Sequence, residues 1–411
     1  MGDRIQSLLQ NRVNKTVQQA VQKTPAVTTI NGLVPPSLTT LNSLLTQINQ
    51  LPPPLPCQQA VHKALSKAIQ LWQADPDIAN NSLVILGRPV EDVAKIIKTS
   101  LQTWPTDEYF PIATDFHLGG YQRPNDPLEM NTHIRKEFTL TKASSANSSS
   151  ATIPQTAEET TDDNVPTLVV ITHLEQLFLR CIQGWEGVEY LQNLTTRDTS
   201  RFWVFGCNHW ACFFLDRVCQ VSAYLEQPLR LPELSGDALQ HWLNPLFEQA
   251  LTIPDGAAAS HDCAVQLALP SDQVWNSLSS ASSGIGATAA RLWLAALQVT
   301  ESTTDGSPTD ESTTDKKITT LLTEKPTLPP LKALDEMERY ILHTLLIHGE
   351  MTRAHVALSL GAAERKIRSR LQVLRREGII LQRGRRLSVN PAHYPKLYSA
   401  LKNNNFLIGE I

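Results

Sequence analysis

The chain has 411 residues, 41% of them apolar, with six cysteines and a formal net charge of −4. That length suits two domains and a smaller third piece. So few cysteines exclude a disulfide framework, and a cytoplasmic protein with reduced thiols is expected. The charge is uneven: Lys332 to Lys402 holds 14 basic against 6 acidic residues, about +8, leaving about −12 on the rest. A basic end on an acidic body points to a separate binding module.

In chain order, residues 3–23 place Ile5, Leu8, Leu9, Val13, Val17 and Val21 on one face, which predicts an amphipathic helix. It packs on its own domain, binds a protein partner or lies on a membrane; its mixed polar face argues against lipid. The N-terminus has no apolar signal region, and the most apolar stretch, "FWVFGCNHWACFFL", is too short for a transmembrane segment. "LPPPLP" (51–56) reads as a rigid spacer, and 57–74 as a helix with Ala60, Leu65, Ile69 and Leu71/Trp72 inward. "NSLVILGRPVEDVAKIIKTSL" (81–101) is a buried strand, a glycine, a short gap and a helix. "FHLGGYQRPND" (116–126) reads as a loop.

Residues 143–166 are Ser/Thr-rich and acidic and predict a disordered insertion. "TLVVIT" (167–172) is a second buried strand. A helix is expected directly after it from His173, with Thr172 to Glu175 as a capping box. "RFWVFG" (201–206) is a third strand, and helices follow to about residue 298. Residues 300–330, where "ESTTD" occurs twice, read as a disordered linker. Strands alternating with helices predict an α/β fold with a parallel sheet covered on both faces.

The order strand–Gly–helix, strand–acidic helix start, strand–polar tip, helical lid and basic C-terminal module resembles P-loop NTPases of the AAA and STAND type, especially those with an origin-recognition-like layout. The resemblance covers about residues 57–299, with an α/β domain at 57–228 and a lid at 229–299, and about residues 331–405 of a C-terminal domain at 331–411; residues 1–56 form an N-terminal extension. It implies a nucleotide site at Gly87, but the P-loop residues are missing. With the first glycine at Gly87, Asp92 replaces the second, Val93 the lysine and Ala94 the hydroxyl. Arg88 and Lys95 are the remaining cations that could reach an anion. The resemblance also implies a water- or metal-handling role for Glu175, though capping is the alternative. It places Asn208 in the polar-sensor slot, with His209 beside it, against a structural asparagine. "LRLPELSGDALQHWLNPL" (229–246) looks like the lid opening, with Leu231 and Leu234 inward. "SSGIGATAARLWLAAL" (282–297) resembles a later lid helix, making Arg291 the lid arginine that contacts phosphate, or a retained surface arginine. These departures imply a degenerate, non-hydrolysing pseudo-ATPase without a cofactor. Backbone N–H groups at a helix start still leave weak or metal-free ATP binding open. An ordered homo-oligomer with Arg180, Arg197 or Arg201 supplied in trans would instead mark a working NTPase.

Cys207, His209, Cys212 and Cys219 have no ordinary zinc spacing and read as buried thiols around a strand end. No nucleophile pair has local support.

Residues 335–390 predict three helices and a two-strand hairpin, similar to the winged helix-turn-helix of MarR-like regulators. Ile367, Leu371 and Leu374 face inward on the third helix. Arg365, Lys366, Arg368, Arg370, Arg375 and Arg376 face outward, and Arg383, Arg385 and Arg386 sit at the hairpin turn. Such a face binds DNA through phosphates, or docks a protein. The tail adds a helix, and Phe406, Leu407 and Ile408 form either a docked end or a partner motif. The expected function is a regulator or scaffold with a binding C-terminal domain; a ligand-sensing transcription factor is a further alternative.

Overall fold

The run Ser82–Gly87 is apolar at consecutive positions and buried at all six. A strand buried on both sides needs a layer on each face, as in the centre of a parallel sheet. The computed structural model places this strand, β1, there. It describes residues 35–75, 80–104, 113–116, 118, 121–146, 167–225, 228–248, 251–253, 263–301 and 319–407. The helix expected at 3–23, residues 147–166 of the expected insertion, residues 302–318 of the expected linker, and Ile408 lie outside the described residues.

The parallel sheet also contains β2 (Ala113–Phe116), β3 (Thr167–Ile171), β4 (Arg201–Asn208) and β5 (Leu229–Arg230). Its strand order is β2-β3-β4-β1-β5. Period-two alternation sorts the side chains into two cores. Leu83, Ile85, Leu168, Val170, Phe202 and Val204 join the core beneath α1 (Leu38–Gln50), α2 (Leu55–Ala74) and α3 (Val93–Gln102). Val84, Leu86, Val169, Ile171, Trp203 and Phe205 face the other core, with α4 (Pro127–Ala146), α5 (Glu186–Arg197) and α6 (His209–Cys219). Burying an aromatic such as Phe202 or Phe205 contributes about 2–3 kcal/mol.

The stretch expected to form a lid holds α7 (Gly236–Leu243), α8 (Pro245–Glu248), α9 (Asp272–Ser282) and α10 (Gly286–Ala295), and Leu231 and Leu234 are buried ahead of α7. There is also a four-stranded sheet that the sequence reading did not contain. That sheet is ordered β6 (Leu251–Ile253), β7 (Cys263–Leu267), β9 (Thr319–Thr323) and β8 (Leu297–Glu301). Part of the expected 300–330 linker is therefore strand: Thr319–Thr323 pairs with both β7 and β8.

The C-terminal module is α11 (Glu336–His348), β10 (Met351–Thr352), α12 (Arg353–Ser359), α13 (Glu364–Arg376), β11 (Ile380–Arg383), β12 (Arg386–Val389) and α14 (Tyr394–Asn403). Asp335 caps α11 in a capping box with Glu338. Gly384 supplies the positive φ (60°) needed at the first position of the two-residue hairpin loop. The module is not an appendage. Ile341, Leu342, Leu345 and Leu346 of α11 lie in the same buried cluster as Trp203 and Phe205 of the sheet. Phe406 packs against Tyr340 and His343, so the tail is a docked end.

Two further expectations fail after β3. Only a 3-10 turn, Leu174–Gln176, follows the strand, and α5 starts at Glu186. Between them Gln183 has φ 60° and the chain turns back, Leu179 N–H bonding Gly184 O. The capping box is not formed either: Glu175 holds the His173 ring at 2.9 Å instead. The expected insertion also starts later than 143, because α4 runs to Ala146.

Candidate functional site

The chain leaves β1 toward one edge of the sheet, at β2, and leaves β4 toward the other, at β5. Neighbouring strands whose exits diverge open a crevice at their carboxyl ends, where ligands of open α/β sheets bind. Gly87 and Asn208 are register partners at this point.

The chain has filled much of this crevice with its own side chains. A Cβ at Gly87 would overlap Val93 Cγ2 and lie 3.2 Å from Glu91 Oε2. The Arg88 backbone N–H donates to Glu91 Oε2 at 2.5 Å. Asp92 Oδ1 accepts from the Lys95 N–H at 3.0 Å and caps α3. A loop amide and a helix N-terminus, the two groups that bind a phosphate in such folds, thus each hold a carboxylate of this chain. Burial raises the Glu91 carboxyl above its usual range; the Arg88 N–H and guanidinium oppose this in part.

The remaining expected site residues are only partly gathered. Arg88 pairs with Glu233 of the lid entry. Lys95 Nζ donates to the carbonyls of Asn49 and Leu51 at 2.7 and 2.6 Å; its pKa is lowered by burial. These two are corrections to their expected anion roles, because nearer partners claim both cations. Glu175 lies beside the crevice with Oε2 buried and without a hydrogen bond. Asn208 takes the structural role: Oδ1 accepts from Ala211 N–H at 2.9 Å and Nδ2 donates to Ile347 O at 2.8 Å. Burial lowers the His209 pKa to about 4. The Cys207, Cys212 and Cys219 thiols are pushed up, chiefly by burial.

Arg180 also departs from expectation. Its guanidinium meets His343 Nδ1 and Thr344 Oγ1, both at 3.2 Å, so it bridges the body to α11 and does not face outward for a second subunit. Arg201 pairs with Asp198 and stacks on Trp203, whereas Arg197 is exposed.

Sequence reasoning missed the residue that organises this junction. Arg123, from the segment read only as a loop, is buried and donates to the carbonyls of Glu175, Gln176 and His348. Gln176 Nε2 also donates to His348 O. The C-terminal carbonyls of α11, which have no partner within the helix, are capped by Asn208, Gln176 and Arg123. A cation there also suits the helix dipole. A lone arginine among Pro and Gly carries no periodic signal that would have singled it out.

Beside the crevice lies a cleft of about 730 Å³, lined by the proline spacer, the start of α3, α10 and the hairpin. Arg291, Arg383 and Arg386 all border it. On α13, Arg365, Lys366, Arg368, Arg370, Arg375 and Arg376 are exposed, as are Arg383, Arg385 and Arg386 on the hairpin. Arg370 pairs with Asp335 at 2.9 Å and Arg376 with Glu377 at 3.5 Å. Arg375 bonds Gln382 of the hairpin. The basic residues therefore lie on the outer face of α13 and on the exposed hairpin, where Arg383 and Arg386 also border the cleft.

Among the described residues no helix is long and apolar enough to cross a membrane. No protein-family model matches the chain. No curated protein matches it. Among solved structures, the Aeropyrum pernix ORC2 protein (ADPNP–ADP complexes) is similar at 11% identity, covering 86% of this chain and 95% of its own, with a TM-score of 0.38. CDC6P of Pyrobaculum aerophilum is 11% identical over 87% and 97%, with a TM-score of 0.35. C. elegans PCH-2 is 11% identical over 64% and 69%, with a TM-score of 0.37. None of these scores reaches 0.5, and it is the chain's own geometry that carries its functional reading.

Proposed function

We propose that this chain is a non-hydrolysing P-loop-type protein, with the origin-recognition-like layout of an AAA relative, that acts as a scaffold and presents a winged helix to DNA. One observation carries the first half. The amide after Gly87 and the N-terminus of α3 already hold Glu91 and Asp92. A phosphate arriving there would meet two carboxylates of like charge, and Val93 stands where a P-loop carries its lysine. Asn208 is likewise engaged in holding α11.

The exposed face of α13 supports the second half. Arg365, Lys366 and Arg368 have neither an ion pair nor a side-chain hydrogen bond among the described residues. Cations on a rigid helix face suit phosphate contacts, which give affinity and register with little base readout. The buried capping of α11 makes that face part of one solid body, as a scaffold requires.

Two measurements test this reading. Fluorescence anisotropy with a short labelled duplex should show binding that weakens steeply with salt, and Arg365→Glu with Arg368→Glu should weaken it by tenfold or more. A duplex affinity unchanged by these substitutions moves the face to protein docking. Steady phosphate release from Mg·ATP that Asn208→Ala abolishes would overturn the non-hydrolysing reading.

A further inference from the structure

Two neighbouring helices carry rings where an amphipathic helix usually carries polar groups. On α6, His209, Phe213 and Arg217 recur at every fourth position and form one stripe. His209 and Phe213 are half-buried and Arg217 is exposed, whereas Trp210, Ala211, Cys212 and Leu215 are buried. α14 repeats the arrangement: Tyr394 is buried, Tyr398 half-buried and Lys402 exposed. Each stripe runs from rings to a cation. Trp210 joins the two, its ring centre 6.3 Å from that of Phe213 and 6.2 Å from that of Tyr398.

Both cations stand over these rings. Arg217 Cζ lies 5.0 Å from the centre of Phe213, and Lys402 Nζ 5.8 Å from that of Tyr398. Arg230, at the end of β5, is exposed as well. Among the described residues no carboxylate pairs with Arg217 or Arg230. Asp216, the acid beside Arg217, is engaged by Ser222, whose backbone N–H and hydroxyl donate to Oδ1. Burial chiefly, with the charges of Arg88 and Arg230, keeps the His209 ring neutral at pH 7.

We propose that this seam between α6 and α14 binds single-stranded nucleic acid, with bases stacked on Tyr398 and on the Arg217 guanidinium that lies over Phe213, and phosphates facing Arg230 and Lys402. Sequence-tolerant binding of single strands combines these two features, cations that follow the backbone and flat groups that take the bases. An arginine plane serves for stacking as a ring does. A duplex keeps its base faces paired and stacked, so it would use the cations and leave the rings idle. An acidic peptide would do the same. The seam lies on elements other than α13, and it does not rest on the duplex reading.

The test is fluorescence anisotropy of the full chain at low salt with labelled oligo(dT) and, separately, oligo(U). The wild type should bind at least one of them saturably. Phe213→Leu with Tyr398→Leu keeps apolar bulk and removes the rings; it should weaken that binding tenfold or more, while duplex binding stays within twofold of wild type. Tyr398→Phe keeps a ring and should bind as wild type does. Should the double variant melt lower than wild type, Arg217→Lys replaces it: at this exposed position the charge is kept, the stacking plane is lost, and single-strand binding should fall severalfold. Tighter binding of oligo(dT) or of oligo(U) identifies DNA or RNA as the partner, and equal binding shows that the 2′-hydroxyl is not read. Each of these supports the seam when the loss follows the stacking groups. No saturable binding of either strand, binding indifferent to these substitutions, or an equal loss of duplex binding overturns it.

Discussion

The side-chain amide of Asn208 joins two parts of the chain: Nδ2 donates to the Ile347 carbonyl at 2.8 Å, while Oδ1 caps α6 through the Ala211 N–H. One buried residue at the end of β4 thereby closes the last turn of α11 against the sheet. Asn208→Ala removes a helix cap and leaves a buried carbonyl without a donor. Together these should cost about 2–4 kcal/mol in urea denaturation. A loss below about 0.5 kcal/mol, the size of an ordinary surface substitution, would show that the contact is incidental.

Arg123 contributes to the same junction from the other side. Burial lowers its pKa to about 10, and its Nη1 has no hydrogen bond. Arg123→Met keeps much of the volume but strips the donors from three carbonyls, which should cost about 3 kcal/mol or more. Amide exchange should speed up in α11 and near Glu175 before it does in α2. Uniform acceleration would mean that Arg123 supports the whole fold and not this junction.

Glu91→Gln tests the self-filled crevice. The folded carboxyl binds its proton more tightly than the ordinary value of 4.5 allows. Its contribution therefore favours folding as pH falls through the raised pKa toward 4.5, and opposes folding above that window. Glutamine retains an acceptor for the Arg88 N–H and removes the charge. The variant should be more stable than wild type at pH 7, and the difference should shrink as pH falls toward 4.5. A variant less stable at pH 7 would show that the charge itself is needed there.

The junction should also open in acid. Burial and neighbouring arginines lower the pKa values of His343 and His355 to about 4, and that of His348 well below its ordinary value. Arg180 can only donate, so the His343 Nδ1 it meets must be an unprotonated acceptor. An unfolded histidine binds a proton near 6.5. The stability these groups provide is thus full above that value and lost as pH falls from 6.5 toward 4. Urea midpoints should drop over this range, and His343→Gln should reduce the slope. A midpoint that stays level from pH 7 to 4.5 would contradict the buried, neutral histidines.

The sequence alone determined the elements whose signal is local. The apolar runs of β1, β3 and β4 called for a sheet covered on both faces, and the spacing of Ile367, Leu371 and Leu374 oriented α13. Asn208 is singled out by the family resemblance, which puts a polar residue at the tip of β4. Tertiary structure alone decided which partners the polar groups found. Arg123 and His348 lie 225 residues apart, and Asn208 and Ile347 lie 139 apart. Periodicity reports which way a side chain faces, whereas a buried hydrogen bond depends on whichever distant backbone group packing brings within 3 Å or so. For the same reason no local pattern marks Glu91, which only the folded loop places against the Arg88 amide. Likewise, β8 and β9 pair across a polar stretch whose composition argued for a linker, because strand pairing is satisfied by the neighbouring backbone and not by the strand's own pattern.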